Sequence, residues 1–187
     1  MTVLRWRHLE PVGWRNGAGI TREVAASPAL PAFDWRVSIA DVDSGGPFSV
    51  FPGVQRTITG IEGEGMLLTL DGAEHEVRRA VPFTFSGDAT VTCRLVSGPT
   101  RNLNVMTRRH RATATVTVTQ PRDVTVTHGE TVLVVALSEG LTIVAGDSPP
   151  HCLEHRDSAL LTEPGTITAL DGALAVVRIE TFPVGVP

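Results

Sequence analysis

Apolar and polar residues alternate along most of this 187-residue chain, and glycine or proline interrupts the alternation at short intervals. Such period-two runs are typical of half-buried strands, because successive side chains of a strand point to opposite faces. An amphipathic helix would show a period near 3.6, and no segment does so convincingly. The clearest period-two runs cover residues 35–40, 65–70, 113–119, 124–127, 131–137 and 173–179. The pattern therefore predicts an all-β protein.

Short turn-forming sequences separate these runs. Glycine permits positive φ, proline fixes φ, and aspartate bonds to its own backbone, so all three residue types favour tight turns. They occur together at Gly45-Gly46-Pro47, Pro52-Gly53, Asp71-Gly72, Gly87-Asp88, Gly146-Asp147 and Asp171-Gly172. Many short strands joined by such turns indicate a sandwich or a barrel.

The two halves of the chain resemble each other. Residues 64–72 read Glu-Gly, strand and tight turn, and residues 139–147 repeat this order. Residues 87–95 and 171–179 likewise share one alternation. We interpret the repetition as two small jelly-roll barrels in one chain, residues 1–110 and 111–187; chance similarity between β-rich segments is the alternative. Closed barrels suit short strands because they leave no exposed strand edge.

The amino-acid composition indicates which classes of binding partner and which location to expect. The net charge is -4, so we expect no direct binding to nucleic acid. All 16 basic residues are arginine, whose planar guanidinium holds a carboxylate through two parallel hydrogen bonds. Residues 1–15 lack the apolar run of a secretory signal, and no stretch has the length of a membrane span. Cys93 and Cys152 are too few for a disulfide framework, so a cytoplasmic location is expected.

Five segments in the first 110 residues contain unusual residue combinations. They are residues 14–23 (WRNGAGITRE), 33–40 (FDWRVSIA), 46–56 (GPFSVFPGVQR), 82–88 (PFTFSGD) and 102–109 (NLNVMTRR). In this order and spacing they resemble the HutD/Ves family of bacterial small-molecule-binding proteins. Ala18 is a small departure, because many family members carry glycine at that position.

The resemblance implies a bicupin fold. The expected ligand pocket lies in the N-terminal barrel. Thr113, Thr115 and Thr117 alternate with apolar residues and indicate a solvated face, so we interpret the C-terminal barrel as degenerate and mainly structural. The resemblance also implies a link to stress response for Ves and to histidine utilisation for HutD. HutD is thought to restrain the histidine-degradation operon by sensing an intermediate such as urocanate or formylglutamate. Because cupins often pair through their sheets, a homodimer is a further expectation.

Arg56 is the first candidate for holding a ligand carboxylate, and Arg36 is the second. Arg36 and Ser38 share a strand face, which is directed either to solvent or to the pocket. The glycine-rich segment 14–23 is either a ligand-facing loop or an ordinary turn. The full set of expected ligand contacts is Trp14, Asn16, Thr21, Glu23, Arg36, Ser38, Phe48, Ser49, Arg56 and Asn104.

No metal or other cofactor is expected. Metal-binding cupins usually carry two histidines and a glutamate in the connection that corresponds to residues 45–56. Here that segment contains no histidine, and residues 82–88 offer only Asp88. Zinc or iron needs three or four converging nitrogen, sulfur or oxygen ligands. His151, Cys152 and His155 have metal-ligating chemistry, but we interpret them as part of a surface loop.

The leading functional hypothesis is a non-enzymatic regulatory protein that senses a small carboxylate. The alternative is a metal-independent cupin enzyme that acts on a small carboxylate, and a purely structural role is a third option. The sequence contains neither a phosphate-binding glycine loop nor a Gly-x-Ser-x-Gly nucleophile motif, so no residue is assigned a catalytic role.

Overall fold

The computed structural model describes residues 1–120, 122–146 and 148–182, and its regular structure is almost entirely strand. The described residues include one 3-10 turn, Trp6–His8, and no α-helix. The prediction of an all-β chain is therefore confirmed. None of the described residues belongs to a helix that is long and apolar enough to cross a membrane. Asp147, which the sequence placed in a turn, lies outside the described residues.

Each of the six predicted runs coincides with a strand. In chain order the strands are β1 (Thr2–Leu4), β2 (Pro11–Gly13), β3 (Gly19–Ser27), β4 (Trp35–Val42), β5 (Gly46–Pro47), β6 (Val54–Glu62), β7 (Met66–Leu70), β8 (Ala73–Val77), β9 (Pro82–Ser86), β10 (Val91–Leu95), β11 (Thr100–Arg108), β12 (Ala112–Thr119), β13 (Asp123–Val126), β14 (Glu130–Ala136), β15 (Leu141–Ala145), β16 (His151–Leu153), β17 (Ser158–Leu161), β18 (Gly165–Ala169) and β19 (Leu174–Thr181).

The described chain divides into two compact units. One consists of Glu10–Arg111, and the other combines Met1–Leu9 with the chain from Ala112 onward. The first nine residues group with the later part of the chain because β1 pairs with β17, with Val3 opposite Ala159. The sequence division at residue 110 had placed these nine residues in the N-terminal half. Nothing in their local pattern points to a partner strand so distant along the chain.

The unit Glu10–Arg111 contains two antiparallel sheets. One has the strand order β2-β3-β4-β11-β6-β9, and the other has the order β5-β10-β7-β8. The two sheets face each other across a shared apolar cluster, in which Ile58 and Phe85 of the larger sheet meet Met66, Leu68 and Val91 of the smaller one. The sheets are separate rather than closed into a barrel, so the two-barrel form of the fold stays a prediction.

The other unit also pairs a five-stranded sheet, β1-β17-β14-β19-β12, with a four-stranded sheet, β13-β18-β15-β16. Its core cluster is entirely apolar and includes the fully buried Val132, Val134, Leu141, Ile143 and Leu153. Burial of such side chains stabilises each of them by roughly 1.5–3 kcal/mol relative to exposure. The buried polar residues of this unit, Glu130, Asp157 and Ser158, are not members of that cluster.

Candidate ligand-binding site

The pairing of strands brings six of the predicted polar residues to one face of the six-stranded sheet. Residues directly opposite each other in an antiparallel pair share a face. Glu23 lies opposite Ser38, and Ser38 lies opposite Asn104. In the next row along the strands, Arg36 lies opposite Met106, which in turn lies opposite Arg56. With Thr21, which is opposite Ala40, the shared set is Thr21, Glu23, Arg36, Ser38, Asn104 and Arg56.

This face is directed at the smaller sheet. Arg56 is opposite Phe85, and Phe85 belongs to the apolar cluster between the two sheets. We call the side of the larger sheet that carries Arg56 and Phe85 the inner face. Strand alternation places Val37 and Ile39 on the opposite side, as the sequence predicted, and both are fully buried. Arg36 therefore points to the inner face, and the alternative of a fully solvent-exposed Arg36 is wrong.

The guanidinium of Arg56 is surrounded by three aromatic rings. Its Cζ atom lies 5.4 Å from the ring centroid of Phe48, 5.3 Å from that of Phe51 and 5.1 Å from that of Phe85. These distances are in the range of cation–π attraction, which strengthens when the cation is removed from water. Arg56 is only 6% exposed, so the interpretation of Arg56 as an exposed residue after a turn is wrong.

Arg56 has few polar partners for a buried cation. Its Nη1 donates to the backbone carbonyl of Ser49 at 3.3 Å, and Nη2 lies 3.5 Å from Oδ1 of Asn104, while Nε has no hydrogen-bond partner among the described residues. Burial lowers the pKa of Arg56 to about 10, and repulsion from Arg36 contributes to this shift. No described carboxylate pairs with Arg56, and a buried charge is normally paired. The arrangement can accept an anion.

Arg36 and Glu23 form an ion pair on the same face of the sheet, two and three strands from Arg56. Arg36 Nε donates to Glu23 Oε2 at 3.0 Å, and the two side chains are 17% and 34% exposed. Arg22 is the arginine next to Glu23 in the chain. Arg22 instead pairs with Asp41, because consecutive strand residues point to opposite faces.

The N-terminal turn contributes Trp14 to the same region. Its Nε1 donates to Thr21 Oγ1 at 2.7 Å, and its ring meets Phe48 edge to face at a centroid distance of 5.9 Å. Asn16 is exposed, and its Oδ1 accepts a hydrogen bond from the backbone N–H of Ala18 at 3.1 Å. Trp14 thus packs against an aromatic neighbour of Arg56, whereas the side-chain oxygen of Asn16 shapes the turn.

Sequence reasoning missed three residues of this region. Phe51 and Phe85 contact Arg56, but Phe48 was the only phenylalanine among the expected ligand contacts. Asn102 lies on the inner face, opposite Ala40 and Gly60, and neither polar atom of its fully buried amide has a hydrogen-bond partner among the described residues. The alternation Pro82-Phe83-Thr84-Phe85 was a usable signal for Phe85, and Asn102-Leu103-Asn104 was one for Asn102, but no local signal identified Phe51.

Asp88 holds the loop that carries Phe51. Its Oδ1 accepts the N–H of Gly53 at 3.0 Å, and Oδ2 accepts the hydroxyl of Ser86 and a guanidinium N–H of Arg109. These hydrogen bonds, with the one from Gly53 as the largest cause, lower the pKa of Asp88 from 3.8 to about 2. Asp88 thus supports the loop through its hydrogen bonds.

We expect the contribution of Asp88 to stability to disappear in acid. Because its pKa is lower in the folded state, the stabilisation is complete above pH 3.8 and is lost as the pH falls towards about 2. The difference in Tm between the wild type and Asp88→Asn should therefore shrink from pH 5 to pH 2, as measured by circular dichroism. Asp43→Asn, a change at an exposed aspartate of the same unit, controls for loss of charge. A difference that persists unchanged at pH 2 would contradict the assignment.

Among the described residues, no group of three histidine, cysteine, aspartate or glutamate side chains could hold a metal ion. His151 and Cys152 lie on β16, and the carbonyl of Cys152 accepts a hydrogen bond from Arg5 at 2.9 Å. The polar groups that share a face with Arg56 are guanidinium, hydroxyl and amide groups and one carboxylate, that of Glu23, which is bonded to Arg36. Such a set suits an organic anion better than a metal cation.

Comparison with known proteins identifies a family and a fold. The model of the HutD family matches residues 7–177. Protein Ves from Citrobacter koseri is 49% identical over 108 residues, which cover 56% of this chain and 56% of Ves. An uncharacterized 21.2 kDa protein from the hutC 3' region of Pseudomonas putida is 39% identical over 119 residues, or 60% of this chain and 62% of that protein. The matched segments thus span little more than half the length of these curated relatives.

Solved structures extend the similarity along the chain. HutD from Pseudomonas fluorescens aligns with a TM-score of 0.86 and 31% identity, covering 97% of this chain and 99% of that one. A cupin 2 conserved barrel domain protein from Leptotrichia buccalis aligns with a TM-score of 0.61 and 8% identity over 96% of this chain and all of that one (100%). At that identity the likeness shows the fold alone, which is cupin-like.

Proposed function

Since this chain belongs to the HutD family, as its sequence resemblance predicted, we propose that it binds a small carboxylate and thereby modulates histidine utilisation. The observation that carries the proposal is Arg56, a buried guanidinium with no carboxylate partner and with an unbonded Nε. An isolated buried charge is costly to maintain, and such costs are characteristic of functional sites.

The surroundings of Arg56 favour an anion with an apolar portion. Phe48, Phe51 and Phe85 enclose its guanidinium, and Trp14 packs against Phe48. Pockets for small molecules typically combine apolar walls with a few polar groups that fix orientation. Urocanate fits this description as a planar ring conjugated to one carboxylate, and formylglutamate fits it as a flexible chain with two.

Regulation by this protein would be indirect. Its net charge of -4 disfavours contact with nucleic acid. Ligand binding would instead change how much free ligand is available or shift the protein between conformations. The size of such a shift is limited by the difference in affinity of the ligand for the two conformations. The hut-region location of the Pseudomonas putida relative supports this pathway as the first to test.

The test is isothermal titration of purified wild-type protein with urocanate, formylglutamate, histidine and formate. Formate reports on the anion site alone, and histidine tests whether an added ammonium group is tolerated. Each mixture is then recovered and analysed for chemical conversion of the ligand. We expect saturable heat with at least one carboxylate and quantitative recovery of the unchanged ligand.

Two outcomes would overturn the proposal in different ways. Conversion of the ligand would favour the metal-independent enzyme that the sequence left open. Absence of binding to all four compounds would remove the link to histidine metabolism and the assignment of an anion site together.

A further inference from the structure

The inner face of the larger sheet carries more positively charged than negatively charged side chains. Within Glu10–Arg111, all of which the structure describes, this face carries Arg36 and Arg56 but only one carboxylate near them, that of Glu23. Glu23 is bonded to Arg36 at 3.0 Å. Arg56 lies two strands from Arg36, a lateral distance of roughly 10 Å. One positive charge therefore remains without a counter-ion, and it resides on Arg56.

Several other charged residues of this unit have contacts away from Arg56. Asp41 is on the opposite side of the sheet, where Arg22 and Arg101 bind it. Arg108, at the end of β11, lies over the ring of Phe33. The pKa of Asp34 is lowered chiefly by its hydrogen bond with Arg111, and attraction from Arg108 contributes. Exposed His75 lies against Phe83, so two aromatic rings, Phe83 and Phe85, separate it from Arg56.

We infer that Glu23 is a specificity-determining residue that sets the charge of the ligand: by neutralising Arg36 it leaves one free cation, and the site selects monoanionic over dianionic carboxylates. The inference rests on the proposed function, because it concerns the same Arg56 site. A monoanion balances Arg56. A dianion of the same shape brings a second negative charge into a site with no second free cation, and Glu23 repels that charge.

The experiment compares two probes that differ by one charge. N-formylglutamate has two carboxylates, whereas in N-formylglutamine a carboxamide of nearly equal size replaces the side-chain carboxylate. Isothermal titration of the full chain at pH 7.5 should give at least tenfold tighter binding of N-formylglutamine. Glu23→Gln frees Arg36 without changing the size of the side chain, so the ratio of the two affinities should move at least tenfold towards N-formylglutamate.

Two further variants separate charge from shape. Glu23→Gln combined with Arg36→Gln again leaves Arg56 as the one free cation, so the preference for the monoanion should return. Glu76→Gln changes a glutamate that also pairs with an arginine, Arg78, but on the opposite side of its strand from the cluster residue Val77, and it should leave the ratio unchanged. Melting curves verify that each variant is folded.

The outcomes distinguish this inference from the proposed function. If both probes bind and N-formylglutamate binds equally well or more tightly, the charge selection is overturned while the anion site stands. The same holds if Glu23→Gln leaves the ratio of affinities unchanged. If neither probe binds the wild type at millimolar concentration, the inference falls together with the binding of formylglutamate-like ligands.

Discussion

Arg56→Met is expected to weaken binding of a small carboxylate by about 100-fold or more while the protein stays folded. A hydrogen bond to a charged group contributes about 1.5–3 kcal/mol, and a guanidinium can form two to one carboxylate. A loss of about 3 kcal/mol corresponds to slightly more than 100-fold in Kd. Titration with the carboxylate that binds the wild type measures the effect.

The fold should tolerate this change because opposing effects on stability nearly cancel. Methionine keeps an apolar chain against Phe48, Phe51 and Phe85 but loses the cation–π attraction, which is about 0.5–2 kcal/mol for a ring. It also removes a desolvated charge whose pKa burial has lowered to about 10. We expect the free energy of unfolding to change by no more than about 1.5 kcal/mol.

Two further variants serve as comparisons for the affinity of Arg56→Met. Arg56→Lys keeps the charge but not the planar fork, so its affinity should be intermediate, roughly tenfold below the wild type. Arg94→Met removes an exposed arginine of the same unit, paired with Glu74 at 3.6 Å, and should bind normally. If Arg56→Met unfolds the protein, or if it binds as tightly as Arg94→Met, then Arg56 is a structural residue.

Asp157→Ala is expected to lower stability by about 3 kcal/mol. The Asp157 side chain is 2% exposed and accepts three hydrogen bonds: from Arg5 Nη1 at 2.6 Å, from the N–H of Trp6 at 2.8 Å and from the N–H of Glu154 at 3.1 Å. Its removal leaves these donors unsatisfied, and loss of one partner from a buried ion pair typically costs about 3–5 kcal/mol. The Arg5 side chain is 31% exposed, which favours the lower end of that range.

Thermal unfolding followed by circular dichroism measures this effect. For a chain of this length we expect a decrease in Tm of roughly 6–12 °C. Asp157→Asn retains one acceptor oxygen and should lose about half as much. Asp123→Ala removes an exposed aspartate that accepts one hydrogen bond, from Thr168 at 2.7 Å, and should change stability by less than about 0.5 kcal/mol. If Asp157→Ala and Asp123→Ala lowered the free energy of unfolding equally, the hydrogen bonds from Arg5 and Trp6 to Asp157 would not stabilise the N-terminal segment as we expect.

Local sequence determined the strands, most turns and the chemistry of the site. Alternation of period two depends only on near neighbours, so it predicted β4, β7, β12 and β14 without knowledge of their partners. The same alternation placed Arg36 and Ser38 on one face. The absence of lysine assigned anion binding to arginine, and the distinctive segments of residues 1–110 predicted the HutD family, which is confirmed over residues 7–177.

Tertiary structure decided which side chains meet. Arg56 and Asn104 are 48 residues apart, and only the antiparallel pairing of β6 with β11 brings them together. Phe85 reaches Arg56 through the pairing of β6 with β9, and Phe51 reaches it through a loop. Alternation states that a residue points to one of two faces, but it identifies neither the neighbouring strand nor the register. Lateral pairing between distant segments therefore determined that Arg56 is buried without a counter-ion, that Glu23 binds Arg36, and that residues 1–9 join the unit containing β17.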